Sequence, residues 1–232
     1  MLGKKNIVAI VPVKGNSERV KKKNLTKFAN SNLYKIKLDQ LKKTNCFEKI
    51  IISSENHKIL NYAKANGFNI HLRDKYFSTS KVPMSEVYKN IASEIDGEYI
   101  AWINVTNPLC NEYIYESAIK KFKKISKKYD CFLSAVKNKQ NYFFNNKPIN
   151  FKRSPWPRSQ DLNPLISLPF AISILRRKNM IRWGSCVGEK PYFYFLNPLV
   201  ATDIDDYQSF KIAELLYVNK LFGLKKKKFI ES

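Results

Sequence analysis

The chain has 232 residues, 44% of them hydrophobic and 13% aromatic, with a formal net charge of +23. This composition fits a globular protein with a full core and argues against a disordered polyelectrolyte, and no apolar stretch reaches the roughly 20 residues of a membrane helix. The four cysteines form no Cys-x-x-Cys pair, and His57 and His71 are the only histidines, so a histidine-built zinc site is not expected and Ser-His-Asp hydrolysis has few candidates.

Lys4 and Lys5 precede an apolar run too short for a secretion signal, so the chain reads as cytoplasmic, with free thiols. The lysines scatter over predicted helical faces, at Lys42, Lys43, residues 120–128 and residues 225–228. They form no arginine-rich stripe interleaved with aromatics, so nucleic acid is not the expected partner.

The first element is the apolar run at residues 7–11, β-branched, without polar alternation and ended by Pro12. Such a run reads as a strand buried on both faces of a parallel sheet. The next loop carries Lys14, Gly15, Asn16, Ser17, Arg19, Lys23 and Asn24. Loops at the carboxyl edge of open α/β sheets bind ligands, and small residues with converging cations suit a polyanion such as a nucleoside triphosphate.

A helix is predicted over residues 33–44 and a second buried strand over 49–53. Asn56 is placed to cap a helix over 57–66 that Gly67 ends, and a third strand follows at 68–72. This βαβαβ rhythm predicts a doubly wound, mostly parallel sheet. Further on, the periodicity gives a helix over 85–95, a strand over 99–103, a long basic helix over 112–129 and a strand over 130–136.

Residues 137–168 change character, being rich in Asn, Pro and aromatics. They read as an inserted arm, with residues 142–144 pairing with 149–151 around Asn145-Asn146 and with aromatics exposed for an interface. A strand is predicted over 169–175 and a final helix over 209–221, before a lysine-rich tail. Between them, Asp203 and Asp205 flank Ile204, which in extended chain puts both carboxylates on one side. They read either as hard oxygen ligands for Mg²⁺ or as an acidic cluster at a helix N-terminus.

Four stretches in order resemble the acylneuraminate cytidylyltransferase family, the CMP-sialic acid synthetases and their relatives. They are VPVKGNSERVKKKN at residues 12–24 with its preceding valine, Ser53-Ser54-Glu55 with the later Arg73, NVTNPLC at 104–110, and GEKP at 188–191 followed by Asp203-Ile204-Asp205, Phe210, Ala213 and Glu214. The resemblance implies one Rossmann-like domain of the nucleotide-diphospho-sugar transferase type spanning 1–232, with 137–168 as a dimerisation arm. It implies transfer of CMP from CTP to a sugar acid, an N-acetylneuraminate or related nonulosonic acid, with release of pyrophosphate, for surface glycans.

By the same resemblance Lys14, Gly15, Ser17, Arg19, Lys23, Asn24, Arg73 and Ser85 bind the nucleotide, and Asn104, Thr106, Arg158 and Gln160 bind the acceptor. Asp203 and Asp205 hold Mg²⁺ and act with Lys23 in catalysis, and the partner implied is a second copy in a homodimer, not a membrane. Three departures concern the acceptor: Asn104 replaces a glutamine, Cys110 an arginine and Phe170 a glycine. They keep open a 3-deoxy sugar acid, phosphate or phosphonate as acceptor. From a different class, a basic nucleic-acid-binding protein without catalysis is the alternative.

Overall fold

A computed structural model describes residues 7–17 and 20–221. The elements run β1 (Ile7–Pro12), β2 (Lys27–Phe28), β3 (Ser31–Asn32), α1 (Leu33–Lys42), β4 (Lys49–Ser54), α2 (His57–Ala65), β5 (Asn69–Leu72), α3 (Met84–Glu94) and β6 (Tyr99–Trp102). They continue as α4 (Glu112–Ile125), β7 (Cys131–Asn138), β8 (Phe143–Phe144), β9 (Lys147–Pro148), β10 (Leu165–Ser167), β11 (Ser173–Arg176), α5 (Arg177–Trp183), β12 (Pro191–Phe195) and α6 (Tyr207–Val218).

The main sheet has the order β10-β7-β11-β6-β1-β4-β5, with β12 also paired to β7. β1 lies between β4 and β6 and is parallel to both. From β1 the chain winds outward through β4 and β5, then returns to place β6 on β1's other side. The strand order therefore reverses between β1 and β6, where such sheets open a crevice at their carboxyl ends. β11 runs antiparallel between β6 and β7, which makes the sheet mixed but still of the doubly wound kind.

The unbroken apolar run of β1 has a direct cause. Ile7, Ala9 and Val11 join the core cluster under α1, α2 and α4, while Val8 and Ile10 join the cluster under α3 and α5. Both faces are covered, so no polar alternation is tolerated. A third, smaller cluster packs α6 and the β2–β3 hairpin on α1 through Phe28, Leu33, Ile36, Ile204, Phe210 and Ala213. No helix among the described residues is long and apolar enough to cross a membrane.

Three expectations need correction. The strand expected from residue 169 begins only at Ser173. Phe170 turns the chain with φ of 52°, and the Pro169 carbonyl is taken by Asn107, so neither pairs in the sheet. The arm's hairpin forms around Asn145 and Asn146, both at positive φ, but pairs Phe143–Phe144 with Lys147–Pro148, a tighter register than expected. The basic helix ends at Ile125. The short strands β2, β3 and β10 were not expected, nor were α5, a short helix ended by Gly184 at φ 58°, and β12, an aromatic strand beside β7.

Candidate active site

The loop after β1 is shaped by its own hydrogen bonds. The Ser17 hydroxyl donates to the Val20 carbonyl and accepts from the Lys23 amide, each at 2.6 Å. The Asn24 amide donates to the Lys14 carbonyl at 2.9 Å. Gly15 sits against α2: a Cβ there would lie 2.5 Å from Asn56 Nδ2 and 2.9 Å from Asn56 Cβ, so only glycine fits. Asn56 in turn caps α2 by accepting from the Lys58 and Ile59 amides.

Glu55, at the carboxyl end of β4, gathers the neighbouring loops. It accepts from the Gly15 amide at 2.6 Å, the Ser78 hydroxyl at 2.9 Å and Arg73 Nη2 at 3.1 Å. Burial opposes its ionisation, but hydrogen bonds from its own backbone, Gly15, Ser78 and Arg73 outweigh that and hold the carboxyl below its ordinary value. Arg73 is 2% exposed and also donates to Ser78 Oγ and the Val13 carbonyl.

The third component comes from the far end of the chain. Ile204 is fully buried, its amide donates to the Thr106 carbonyl at 2.9 Å, and its carbonyl accepts from Lys23 Nζ. With Ile204 pinned inward, Asp203 and Asp205 both line the cavity. Asp206, not either of them, serves α6, forming a capping box with Ser209. The helix-cap reading of the acidic cluster is thus taken by Asp206 alone.

Burial pushes the Asp203 carboxyl above its ordinary range; a hydrogen bond from Thr106 and the Lys23 charge oppose this, while the Asp205 charge adds to it. Asp203 Oδ1 is buried and has no hydrogen-bond partner. An orphaned carboxylate oxygen beside a second carboxylate fits a hard cation. No group of three or more His, Cys, Asp or Glu side chains among the described residues makes a complete protein cage. Two carboxylates leave most of a hard cation's shell to be filled by waters or other oxygens.

These parts face one cavity of about 940 Å³ at the β1/β6 reversal. Lys14, Ser17, Lys23, Asn24 and Arg73 line it from one side, Asn104, Thr106, Asp203 and Asp205 from the other. Met84, Tyr88, Trp102 and Phe170 supply apolar wall, with Tyr88 and Trp102 in edge contact at 4.6 Å. Trp102 Nε1 donates to Asn104 Oδ1 at 3.2 Å, which orients that amide.

Several expected residues are elsewhere. Ser85 is exposed, and its carbonyl packs by Gly184 on α5's side of α3. Its neighbours in the next helical phase, Met84 and Tyr88, line the cavity instead. Arg158 is solvent-facing and paired with Asp161 at 2.6 Å, and the Gln160 carbonyl accepts from Lys139, so neither reaches the cavity of its own chain. Arg19 lies outside the described residues. Cys110 is fully buried, its thiol against the Val200 carbonyl. Among the residues that line the cavity, the sequence reading named no role for Glu55, Lys75, Lys81, Tyr88 or Trp102. Glu55 was open to the same rule that selected the β1 loop, since it too follows a buried strand.

A family model described as cytidylyltransferase matches residues 8–158. The chain belongs to the cytidylyltransferase family. Pseudaminic acid cytidylyltransferase of Campylobacter jejuni is 24% identical over 90% of this chain and 95% of its own length. N-acylneuraminate cytidylyltransferase of Escherichia coli is 22% identical over 89% of this chain but only 51% of that longer protein. Among solved structures, a CMP:2-keto-3-deoxy-manno-octonic acid synthetase complexed with CTP superposes with a TM-score of 0.67 at 9% identity, over 93% of this chain and 99% of that one. The 4-diphosphocytidyl-2C-methyl-D-erythritol synthase of Anaerococcus prevotii gives 0.64 at 12% identity, over 94% and 100%. At such identities these structures establish the shared fold. The cytidylyltransferase is an enzyme that uses CTP, and the nucleic-acid-binding alternative is set aside.

Proposed function

We propose that this cytidylyltransferase transfers CMP from CTP to a sugar acid, a nonulosonic acid of the N-acetylneuraminic or pseudaminic type. The observation that carries the reading is the convergence of Asp203 and Asp205 with Lys14, Lys23 and the Asn104–Thr106 loop around one cavity at the sheet's reversal point. The two sequence relatives described above are named for acids of this type.

In the reaction, a hydroxyl oxygen of the acceptor attacks the α-phosphorus of CTP. The new P–O bond forms as the bond to the bridging oxygen breaks, and pyrophosphate leaves with that electron pair. Lys14, Gly15, Ser17, Lys23 and Asn24 hold the triphosphate, and Arg19 joins them on sequence grounds alone. Lys23, fixed through Ile204 beside Asp203, offsets the charge that develops on the phosphates. Arg73 serves the nucleotide by fixing the Ser78 loop.

Asp203 and Asp205 would hold Mg²⁺, which when bound neutralises phosphate charge and lowers the pKa of the attacking hydroxyl. Asn104 and Thr106 orient the acceptor. Arg158 and Gln160 meet an acceptor only from a second copy, so a homodimer joined by residues 137–168 belongs to this reading. Exposed Phe143, Phe144 and Trp156 support it.

A second reading, a 3-deoxy sugar acid or a phosphonate acceptor, is favoured by Phe170, whose ring lines the cavity. Pyrophosphate release with Mg²⁺ separates the two, using CTP, ATP, GTP and UTP against nonulosonic acids, 3-deoxy-octulosonic acid and simple phosphonates. Release with CTP and a nonulosonic acid alone is the expected result. Release only with another acceptor selects the second reading. Neither release nor thermal protection by CTP would overturn both.

A further inference from the structure

One buried cation is unused by this mechanism. Lys37, on the inner face of α1, is 0% exposed. Its ammonium donates to the Asn107 carbonyl at 2.9 Å, the Cys110 carbonyl at 2.9 Å and the Tyr115 hydroxyl at 2.5 Å, which employs every donor it has. One turn further along α1, Gln40 Nε2 donates to the Pro108 carbonyl at 2.6 Å. α1 therefore grips the loop after β6 by its backbone.

The same loop is tied on its other side. The Asn107 amide reaches the carbonyls of Pro169 at 3.2 Å, Thr202 at 3.4 Å and Ala201 at 3.5 Å. The Cys110 thiol lies 3.3 Å from the Val200 carbonyl. Two residues before Asn107's neighbour Thr106 stands Asn104, and both line the cavity. Thr106 bonds Asp203 through its side chain and Ile204 through its carbonyl. A continuous path runs from Lys37 through the loop to the segment that carries both cavity carboxylates.

Stability alone does not account for a lysine here. Burial pulls its pKa down from 10.5 to about 7, the mark of a desolvated charge. Buried charged groups replaced by well-packed apolar ones are often neutral or stabilising to the fold. What the ammonium supplies and an apolar side chain cannot is a fixed geometry for the Asn107 and Cys110 carbonyls.

We propose that Lys37 is a positioning residue for the reaction. It sets the Asn104–Thr106 loop so that the loop meets the acceptor and holds Asp203 in place. The assignment rests on the reading that this loop serves the acceptor and Asp203 the metal.

The test compares the full-length wild type with Lys37→Met, which keeps length and removes the donors. The expected result is a KM for the acceptor raised about tenfold to a hundredfold, the scale of small misplacements in a site, with the KM for CTP within about twofold. The Mg²⁺-dependent rise in Tm with CTP present, which needs no turnover, is expected to shrink. A variant of lower Tm with both KM values and the Mg²⁺ response unchanged has lost only a structural contact, and that overturns the proposal. If Lys37→Met does not fold, Gln40→Met, which removes a single neutral donor to the same loop, is expected to show the same split at smaller size, and an unchanged split overturns it. If the wild type turns over no acid, the functional reading fails. The Mg²⁺ response of the variant with CTP alone then decides the positioning role: a wild-type response overturns it and a reduced one supports it.

Discussion

Asp203 sits where its surroundings disfavour its charge. Burial and the Asp205 charge raise its pKa, so between its unfolded and folded values the native state binds the extra proton. Stability from this group therefore falls as pH rises through that window, just above the ordinary carboxylate range. Asp203→Asn is expected to leave Tm unchanged or higher without metal, to abolish the Mg²⁺-dependent rise in Tm, and to reduce pyrophosphate release to background. A large loss of Tm in metal-free buffer would show the carboxylate to be structural. Glu55 behaves in the opposite sense. Its folded pKa is depressed, so its contribution is complete above the ordinary carboxylate range and is lost as pH falls through the folded value. Its partner Arg73 has a side chain only 1% exposed. Glu55→Ala leaves that guanidinium without its carboxylate, which is expected to cost about 3–5 kcal/mol in urea unfolding at neutral pH, with the deficit narrowing towards acid pH. A different trio imitates chemistry without performing it. His71 bonds Ser53 Oγ through Nδ1 at 2.9 Å and Glu94 through Nε2 at 2.7 Å, the residue types of a hydrolytic triad with the two ring nitrogens exchanged. Ser53 is 0% exposed, so no substrate meets its hydroxyl, and the trio ties β4, β5 and α3 together.

At the scale of elements, the site depends on how closely the β1 loop approaches α2. Gly15→Ala would set a Cβ against Asn56, which is held in place as the α2 cap. The loop must then retreat, breaking the 2.6 Å bond from Gly15 to Glu55. A rise of tenfold or more in the KM for CTP is expected, with a loss of about 1–3 kcal/mol in stability; an unchanged KM would mean that this close approach does not shape the nucleotide site. The approach was legible beforehand only in part. β1, β4 and β6 were readable because burial on both faces gives each an apolar run without polar alternation, and Asn56 because a cap has a side-chain signature. The pairing of Asp203 with Asp205 was readable because Ile204 between them must point into the core. Ser85 lies off the cavity because one residue on a helix is about 100° of rotation: Met84 and Tyr88, four apart, line the cavity and Ser85 does not. β12 and α5 gave no sequence signal of their own, since an aromatic run and a seven-residue basic helix take their structure from neighbours already in place. Lys37 received no reading from the sequence, because nothing local distinguishes a buried lysine from a solvated one.

For the molecule as a whole, the fold brings the β1 loop, Asp203 and Asp205 and the Asn104–Thr106 loop to one crevice, which no residue of the arm lines. The arm is ordered from within. Asn150, 5% exposed, donates to the Gln140 and Asn163 carbonyls and accepts from the Tyr142 amide. Phe151 sits between Phe143 and Trp156 at ring distances of 5.3 and 5.2 Å. This well-held segment still leaves Phe144 67% and Trp156 66% exposed, an apolar surface of the kind that interfaces use. In the proposed dimer a second copy would cover these rings, because a two-fold interface pairs each arm with the other chain and would bring Arg158 and Gln160 to its crevice. Light scattering after size exclusion is expected to give a dimer for the wild type. Phe144→Asp combined with Trp156→Asp should give a monomer. That monomer should keep the thermal protection by CTP, since the β1 loop and Arg73 lie within one chain, while its KM for the sugar acid rises steeply. Full turnover by the monomer would show that each crevice is complete by itself, and would leave Arg158 and Gln160 without a part in the reaction.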